Sequence, residues 1–487
     1  MRVQTMNTQP RYFAVKRIAA SVGAVAALIG NVPLASSQEG STSVLEEVIV
    51  TSRRVTESLQ DVPVAVTSMD GEFLETQGIQ NVDDAILYTP GGAFTAFNKM
   101  QQEYSLRGIS SQSEGASGDS SVATVIDNVA ISKEFMKNPA FFDMSRIEIL
   151  RGPQGTTFGR NASSGLVHLL TARPVDEFQA RIKVDVGNYD LANFEGYVTG
   201  PLSDNLSGRL AINYDSRDGY TDDTRTGKSL GEEQNSAIRG SLLWNPTDNL
   251  QIFLKAEYSD DSDKRTAVRR GKDCTIPYQL ANADSIVGAP QPNWEKFPAF
   301  TDSCDVWETQ VSTPTYLGSP KLDRDITNLT AEVVWDVTDN ISATTVVGYI
   351  SGESDYLIDT HGGPNNSMFQ STQNDADQFS IEIRLDNHAS AEALRWLGGV
   401  YYLQDDHERE DQNIWYVEQA ALYGGPGNID GYRPETRDYK LTKNETDALG
   451  LFGTIDYDFS DRLSASIGGR SSSPPARLGS ATVAKRT

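Results

Sequence analysis

The stretch Arg146-Ile147-Glu148-Ile149-Leu150-Arg151-Gly152-Pro153-Gln154-Gly155-Thr156-Thr157-Phe158-Gly159-Arg160-Asn161-Ala162-Ser163-Ser164-Gly165 decides how this chain is read. It opens as a short strand, apolar at Ile147, Ile149 and Leu150 and charged at Arg146, Glu148 and Arg151. Pro153 follows Gly152 directly, and further glycines stand at 155, 159 and 165. Such glycines permit positive φ and close backbone approach, so a tightly folded, non-helical turn region is expected after the strand. A nucleotide loop is the competing reading. A P-loop closes on Gly-Lys-Ser/Thr, and a dinucleotide fingerprint needs G-x-G-x-x-G between strand and helix; neither spacing occurs here.

The stretch strongly resembles the plug signature of TonB-dependent outer-membrane receptors, whose usual form reads I-E-V-L-R-G-P-Q-G-T-L-F-G-R-N-A. Leu106-Arg107-Gly108-Ile109 supports the same family, and Glu46-Glu47-Val48-Ile49-Val50-Thr51 looks like a TonB box. The resemblance implies an α+β plug followed by antiparallel transmembrane barrel strands. It also implies an inner-membrane energy-coupling partner, TonB, that engages the box. The plug motif residues are then Arg107, Gly108, Glu148, Arg151, Gly152, Pro153, Gly155, Gly159, Arg160 and Asn161. In the family, the charges matching Arg107, Glu148 and Arg151 pair with acidic residues on the inner barrel wall. A latch and mere internal packing of the plug both remain open for them.

Addressing and charge fit an exported protein. Arg2, Arg11, Lys16 and Arg17 precede an apolar run from Ile18 to Gly30, then Ala35-Ser36-Ser37, which is the order of a secretory signal peptide over residues 1–37. That run is too short to span about 30 Å of hydrocarbon as a helix, so any membrane insertion uses strands. The net charge is -25, and removing the four basic residues of the leader takes the remainder to about -29, which argues against a nucleic-acid partner. The polar average composition is compatible with a barrel, whose lipid-facing and lumen-facing residues alternate. Cys274 and Cys304 lie in one long polar stretch; an even pair in an exported chain reads as a disulfide, and no histidine cluster favours zinc.

Residues 38–55 read as a periplasmic extension carrying the box, and 56–174 as the plug. Within the plug, Val82 to Leu87 reads as a helix stopped by Pro90-Gly91-Gly92, and Tyr104 to Arg107 and Ala123 to Asp127 as strands. From residue 179 the pattern becomes alternating: Ile182, Val184 and Val186 against Lys183 and Asp185, or Leu250, Ile252, Leu254, Ala256 and Tyr258 with Phe253 as the exception. Four near-identical turns, beginning at Ser203, Thr247, Thr338 and Ser460, read as tight hairpins whose Asp and Asn accept left-handed geometry. The opposite connections, about 218–234, 261–326, 352–376 and 405–444, are long and polar. Short turns at one rim and long loops at the other mark an outer-membrane barrel rather than a sandwich. About eleven strands are expected, near 179–187, 191–201, 206–217, 236–245, 249–260, 327–336, 341–351, 377–386, 394–404, 446–458 and 462–470. Plugged transporters have about 22, so residues 175–470 read as half a barrel and 471–487 as an aberrant tail of a truncated or frame-shifted reading.

No catalytic constellation is present, so no enzyme activity, cofactor or resident metal is expected. The run Asp405-Asp406-His407-Glu408-Arg409-Glu410-Asp411 reads as a solvated surface loop, with oxygen ligation of a cation as the sharper alternative. The box, β-branched and preceded by a flexible polar stretch, suits strand addition to a partner sheet, although it would also serve as the first strand of the plug. Candidate ligand contacts are Phe94, Phe97, Lys99, Met100, Lys133, Phe135 and Lys137 on the plug, with Arg269, Arg270 and Trp294 in the long loop. Basic and aromatic groups together suit an anionic, ring-bearing ligand such as a ferric siderophore, but equally lipopolysaccharide phosphates or water. The expectation is energy-coupled uptake of a scarce extracellular ligand across the outer membrane of a Gram-negative cell. The alternatives are a passive channel, and a non-functional fragment or soluble plug-type binding module.

Overall fold

The computed structural model describes residues 49–51, 54, 57–58, 60, 62, 64–111, 120–159, 161–223, 229–264, 310–311, 321–359, 368–387, 393–416, 435–460 and 463–473. The leader, the disulfide candidates and residues 474–487 lie outside these.

The N-terminal part is built on a five-stranded sheet in the order β3-β8-β9-β6-β7. Its strands are β3 (Ala65–Asp70), β6 (Val122–Ile126), β7 (Val129–Ile131), β8 (Met144–Arg151) and β9 (Gly165–Thr171). Ile147, Ile149 and Leu150 of β8 and Leu166, Val167 and Leu169 of β9 are fully buried, so the motif strand is the spine of this core. Two short pairs flank the sheet: β1 (Ile49–Val50) with β2 (Glu57–Ser58), and β4 (Gly92–Asn98) with β5 (Gln101–Leu106). Helix α1 (Gly71–Gln77) starts where Asp70 accepts from the Phe73 N–H at 2.7 Å, and helix α2 (Val82–Leu87) where Asn81 accepts from Asp84 at 2.8 Å.

The motif region corrects one expectation. It is tight but not free of helix, because Gly155–Phe158 close a single turn, α3, with the Phe158 N–H donating to the Gln154 carbonyl at 2.9 Å. Gly159, at φ +81, ends that turn where a side chain would be strained. Gly165 is needed for approach instead: a Cβ there would lie 2.4 Å from the Leu150 carbonyl.

The second part is one antiparallel sheet of 11 strands, each paired to the next along the chain. They are β10 (Gln179–Gly187), β11 (Leu191–Ser203), β12 (Leu206–Arg217), β15 (Glu233–Thr247), β16 (Leu250–Lys264), β18 (Lys321–Thr338), β19 (Ile341–Asp359), β20 (Met368–Asp386), β21 (Leu394–Tyr416), β22 (Glu435–Ser460) and β23 (Leu463–Ser472). Short strands β13 (Thr221–Asp223), β14 (Ser229–Leu230) and β17 (Gln310–Val311) form a small separate sheet. No helix among the described residues is long and apolar enough to cross a membrane.

Alternation holds along the strands between the two edges of the sheet. Leu210, Leu242, Leu254, Leu329, Ile383 and Val400 are exposed on the outer face, while Arg239, Lys255, Glu257, Glu332 and Glu382 are buried on the inner face. The exception Phe253 points inward, buried beneath the Arg173 guanidinium at 4.5 Å. Trp244, Trp335, Tyr457 and Phe459 stand outward near the short turns, and Tyr258, Tyr349 and Phe379 toward the other rim. This is the paired aromatic girdle of a membrane barrel.

Two details differ from the sequence reading. The four hairpins are as tight as expected, pairing Ser203 with Leu206, Thr247 with Leu250, Thr338 with Ile341 and Ser460 with Leu463. Yet Asp204, Asn205, Asp248, Asn249, Asp339 and Asn340 do not take positive φ. A register shift just before each turn absorbs the twist instead, and the Ser203 and Thr247 hydroxyls donate to Asn205 and Asn249. The other difference is length: β16 and β18 continue into 261–326, β19 and β20 into 352–376, and β21 and β22 into 405–444, all stretches that read as loops. Once a strand leaves the lipid band both its faces are polar, so the apolar alternation that signals a strand fades while the ladder of hydrogen bonds persists. The acidic run is thus part of β21 rather than a loop, with Asp405, His407 and Arg409 turned inward and buried. No metal-holding group of acidic, histidine and cysteine side chains occurs among the described residues.

Candidate functional site

The end of the box is held by the plug. Ile49 pairs with Ser58 and Val50 with Glu57, and the Val50 side chain is buried. The Thr51 N–H then donates to both carboxylate oxygens of Glu148, at 2.9 and 3.2 Å. Glu148 sits in the middle of β8, fully buried, and also accepts from Arg146 Nε at 2.7 Å with His168 Nδ1 3.9 Å away. Burial pushes its pKa up, but the His168 ring, Arg146 and the Thr51 N–H outweigh this and bring it down to about 2. Glu46, Glu47 and Val48 lie outside the described residues.

The three charges for which latch and internal packing stand open make no hydrogen bond or ion pair with the described wall. Glu148 finds its partners in the plug and at the end of the box. Arg107 is exposed at φ +55, and Arg151 donates to the Pro90 carbonyl at 3.2 Å. Gly108 and Gly152 take φ +74 and +109, and Asn161 +65; Arg160 lies outside the described residues.

Other charges join the plug to the wall. The β6–β7 hairpin turns at Asp127 and Asn128, both left-handed at φ +45 and +70, as a two-residue turn between Ile126 and Val129 requires. The turn delivers Asp127 to Lys255 at 2.5 Å and Asn128 to Glu332 at 2.7 Å. Asp127 also accepts from the Thr171 N–H and hydroxyl at 2.9 and 2.8 Å. Burial raises its pKa, yet Lys255 and Thr171 prevail and hold it at about 2. Arg173 reaches Glu332 at 2.6 Å, and Asp143 forms a bidentate pair with Arg209. Arg324 donates to the Phe135 and Asn138 carbonyls, each at 2.8 Å, and Arg54 lies 2.9 Å from Glu382. A buried pair contributes little net stability, but removing one member strands the other at a cost of about 3–5 kcal/mol. The seam therefore fixes position. Sequence reasoning missed these residues; the signal available was charge at inward-facing positions of amphipathic strands, such as Arg239, Lys255 and Glu257 on β15 and β16.

The ligand candidates divide. Lys133 is buried and paired with Asp405 at 2.5 Å, beside Ser132, whose hydroxyl donates to Asp405 at 2.9 Å. Phe135 is buried with its ring 5.9 Å from that of His407, and Met100 and Lys137 are buried too. Met100, Lys133 and Phe135 also line a small cavity together with His407 and Arg409 of β21. Lys99, partly exposed, pairs with Asp263 at 2.8 Å, and Phe94 is half-buried against the core. The Phe97 side chain, Arg269, Arg270 and Trp294 lie outside the described residues, as do Cys274 and Cys304.

Residues 58–166 match the TonB-dependent receptor plug domain. The chain is 26% identical over 247 residues to the ferripyoverdine receptor of Pseudomonas aeruginosa, an alignment covering 50% of this chain and 29% of that protein. It is 28% identical over 236 residues to the ferrioxamine B receptor of Salmonella typhimurium, covering 45% of this chain and 30% of that one. Its fold superposes on the ferric yersiniabactin uptake receptor of Yersinia pestis with a TM-score of 0.67 at 18% identity, covering 84% of this chain and 56% of that one. For the P. aeruginosa ferripyoverdine receptor in complex with ferripyoverdine the TM-score is 0.64 at 15% identity, covering 87% and 54%. The matches thus span about 30% of the length of these two relatives and just over half of the two solved receptors.

Proposed function

We propose that this chain, whose plug and strands are those of a TonB-dependent outer-membrane receptor, belongs to an importer that takes up a ferric siderophore at the expense of inner-membrane energy. The observation that carries the reading is the box end seated on Glu148, inside a plug that is itself pinned to the wall of a membrane sheet. An inward pull on the residues ahead of Ile49 would load the plug through this seat, which a passive channel has no use for. Relatives named for ferripyoverdine and ferrioxamine B support an iron chelate as the substrate class.

The test uses the full-length receptor in an iron-starved host. Growth rescue by at least one member of a ferric-chelate panel is expected, abolished by deleting residues 44–52 and by collapsing the proton gradient. Rescue that survives both treatments would favour a passive channel, and rescue by no ferric chelate would remove the siderophore assignment.

A further inference from the structure

Resting on that reading, we propose that His168 is a positioning residue that reports occupancy of the box seat to the β6–β7 hairpin tip. When the box end leaves Glu148, the imidazole follows the carboxylate and lets go of the tip.

The placement of His168 carries this. It stands on β9, with Glu148 directly across on β8 and Val125 across on β6, and it is fully buried. Its Nε2 accepts from the Asn128 N–H of the hairpin tip at 3.4 Å. A ring nitrogen that accepts carries no proton, so the single proton of the ring sits on Nδ1. Nδ1 faces Glu148 Oε2 at 3.9 Å, beyond hydrogen-bond reach, and has no hydrogen-bond partner among the described residues. One ring thus stands between the two sites, bonded to the tip and aimed at the seat.

The donors around Glu148 are unevenly shared. Arg146 Nε holds Oε1 at 2.7 Å, while the Thr51 N–H spans Oε1 and Oε2 at 2.9 and 3.2 Å. Withdrawing Thr51 leaves Arg146 on Oε1, but among the described residues it leaves Oε2 with no donor in hydrogen-bond reach. A buried carboxylate oxygen and a buried N–H then face each other, both unsatisfied, across a gap about 1 Å too long. Closing that gap makes a charge-assisted bond, roughly twice as strong as the neutral one to Asn128. The bond to Asn128, already at 3.4 Å, is the one that yields.

The tip is where the plug meets the wall. Asn128 donates to Glu332 at 2.7 Å, and Asp127 pairs with Lys255. Asn128 also keeps φ +70, a conformation that persists where surrounding contacts hold it. Losing the tie to His168 therefore loosens the backbone that aims both side chains at β16 and β18.

The experiment compares the full-length, membrane-inserted receptor with and without residues 44–52, by amide hydrogen exchange and by NMR of the histidine rings. Deletion empties the seat, so neither the coupling partner nor a ligand is needed, and failure of the uptake reading would leave the measurement intact. Exchange at the Asn128 amide should rise about fivefold or more on deletion, the scale of one lost hydrogen bond. The His168 Nδ1 proton should move downfield as it bonds to Glu148, a signature that simple packing would not produce. His168→Phe can bond neither partner, so in that variant the deletion should change exchange at Asn128 by less than about twofold. Should His168→Phe fail to insert, the Nδ1 proton of the otherwise unaltered chain decides alone. An Asn128 amide indifferent to the deletion, an equal rise in His168→Phe, or an Nδ1 proton that stays in place would overturn the relay and leave His168 as core packing.

Discussion

Lys255 of strand β16 reaches across the seam to Asp127 at the tip of the β6–β7 hairpin, 2.5 Å away and with both side chains buried. The two residues are 128 positions apart, and each depends on the other for charge compensation. Lys255→Met should destabilise docking of the plug by about 3–5 kcal/mol, since the carboxylate is left with only Thr171. Asp127→Asn alone should cost a similar amount, and the double variant less than the sum. Thermal unfolding of the purified full-length receptor, followed by tryptophan fluorescence, checks this; strictly additive losses would count against a direct pair.

Glu148 holds the box end by charge-assisted bonds to the Thr51 N–H. Glu148→Gln keeps the shape but weakens acceptance and leaves Arg146 without its anion. Release of the box end should become easier by about 1–3 kcal/mol, raising protease cleavage ahead of β2 about tenfold or more. Cleavage unchanged in the folded variant would mean that the β1–β2 pairing alone does the holding.

Acid should loosen the same contacts. Asp127 and Glu148 both stand at about 2, below their ordinary values of 3.8 and 4.5. Carboxylates depressed in the folded state contribute stability that is fully present above the unfolded values and is lost as pH falls through the folded ones. Docking of the box end and of the hairpin tip should therefore be constant above about pH 5 and decline between pH 4.5 and 2, by about 2–3 kcal/mol for each group. Hydrogen exchange at Thr51 and Thr171 across this range is the measurement. In Glu148→Gln the Thr51 decline should vanish while that at Thr171 remains.

Much of this was legible in the residues, and the limits have physical causes. All eleven wall strands were placed because lipid demands alternation, and helix Val82–Leu87 was placed because its cap and stop are local. The extensions of β16 and of β18 to β22 were not, because above the lipid band hydrophobicity no longer reports which face a residue occupies. Asp143, Arg173 and Arg54 gave no local sign of their role. A charge that waits for a partner on the wall looks, in one dimension, like any surface charge. Lys133 and Phe135 are ambiguous for the complementary reason: a basic and an aromatic residue near the plug apex suit a ligand and a seam equally well.

Lys133 separates those two roles. It is buried against Asp405, which also accepts from the Ser132 hydroxyl, whereas Lys99 stays partly exposed beside Asp263. Lys133→Gln should therefore destabilise the plug by about 3 kcal/mol, the cost of a buried carboxylate left without its cation. It should leave the affinity for whichever ferric chelate rescues growth within about twofold, since a seam residue makes no ligand contact. Lys99→Gln should cost less than Lys133→Gln, because Lys99 is itself about a third exposed and already partly solvated, although it leaves the buried Asp263 without its cation. Equilibrium binding and thermal unfolding on the same two preparations decide the matter. A Lys133→Gln protein of unchanged stability and tenfold weaker binding would return Lys133 to the ligand site.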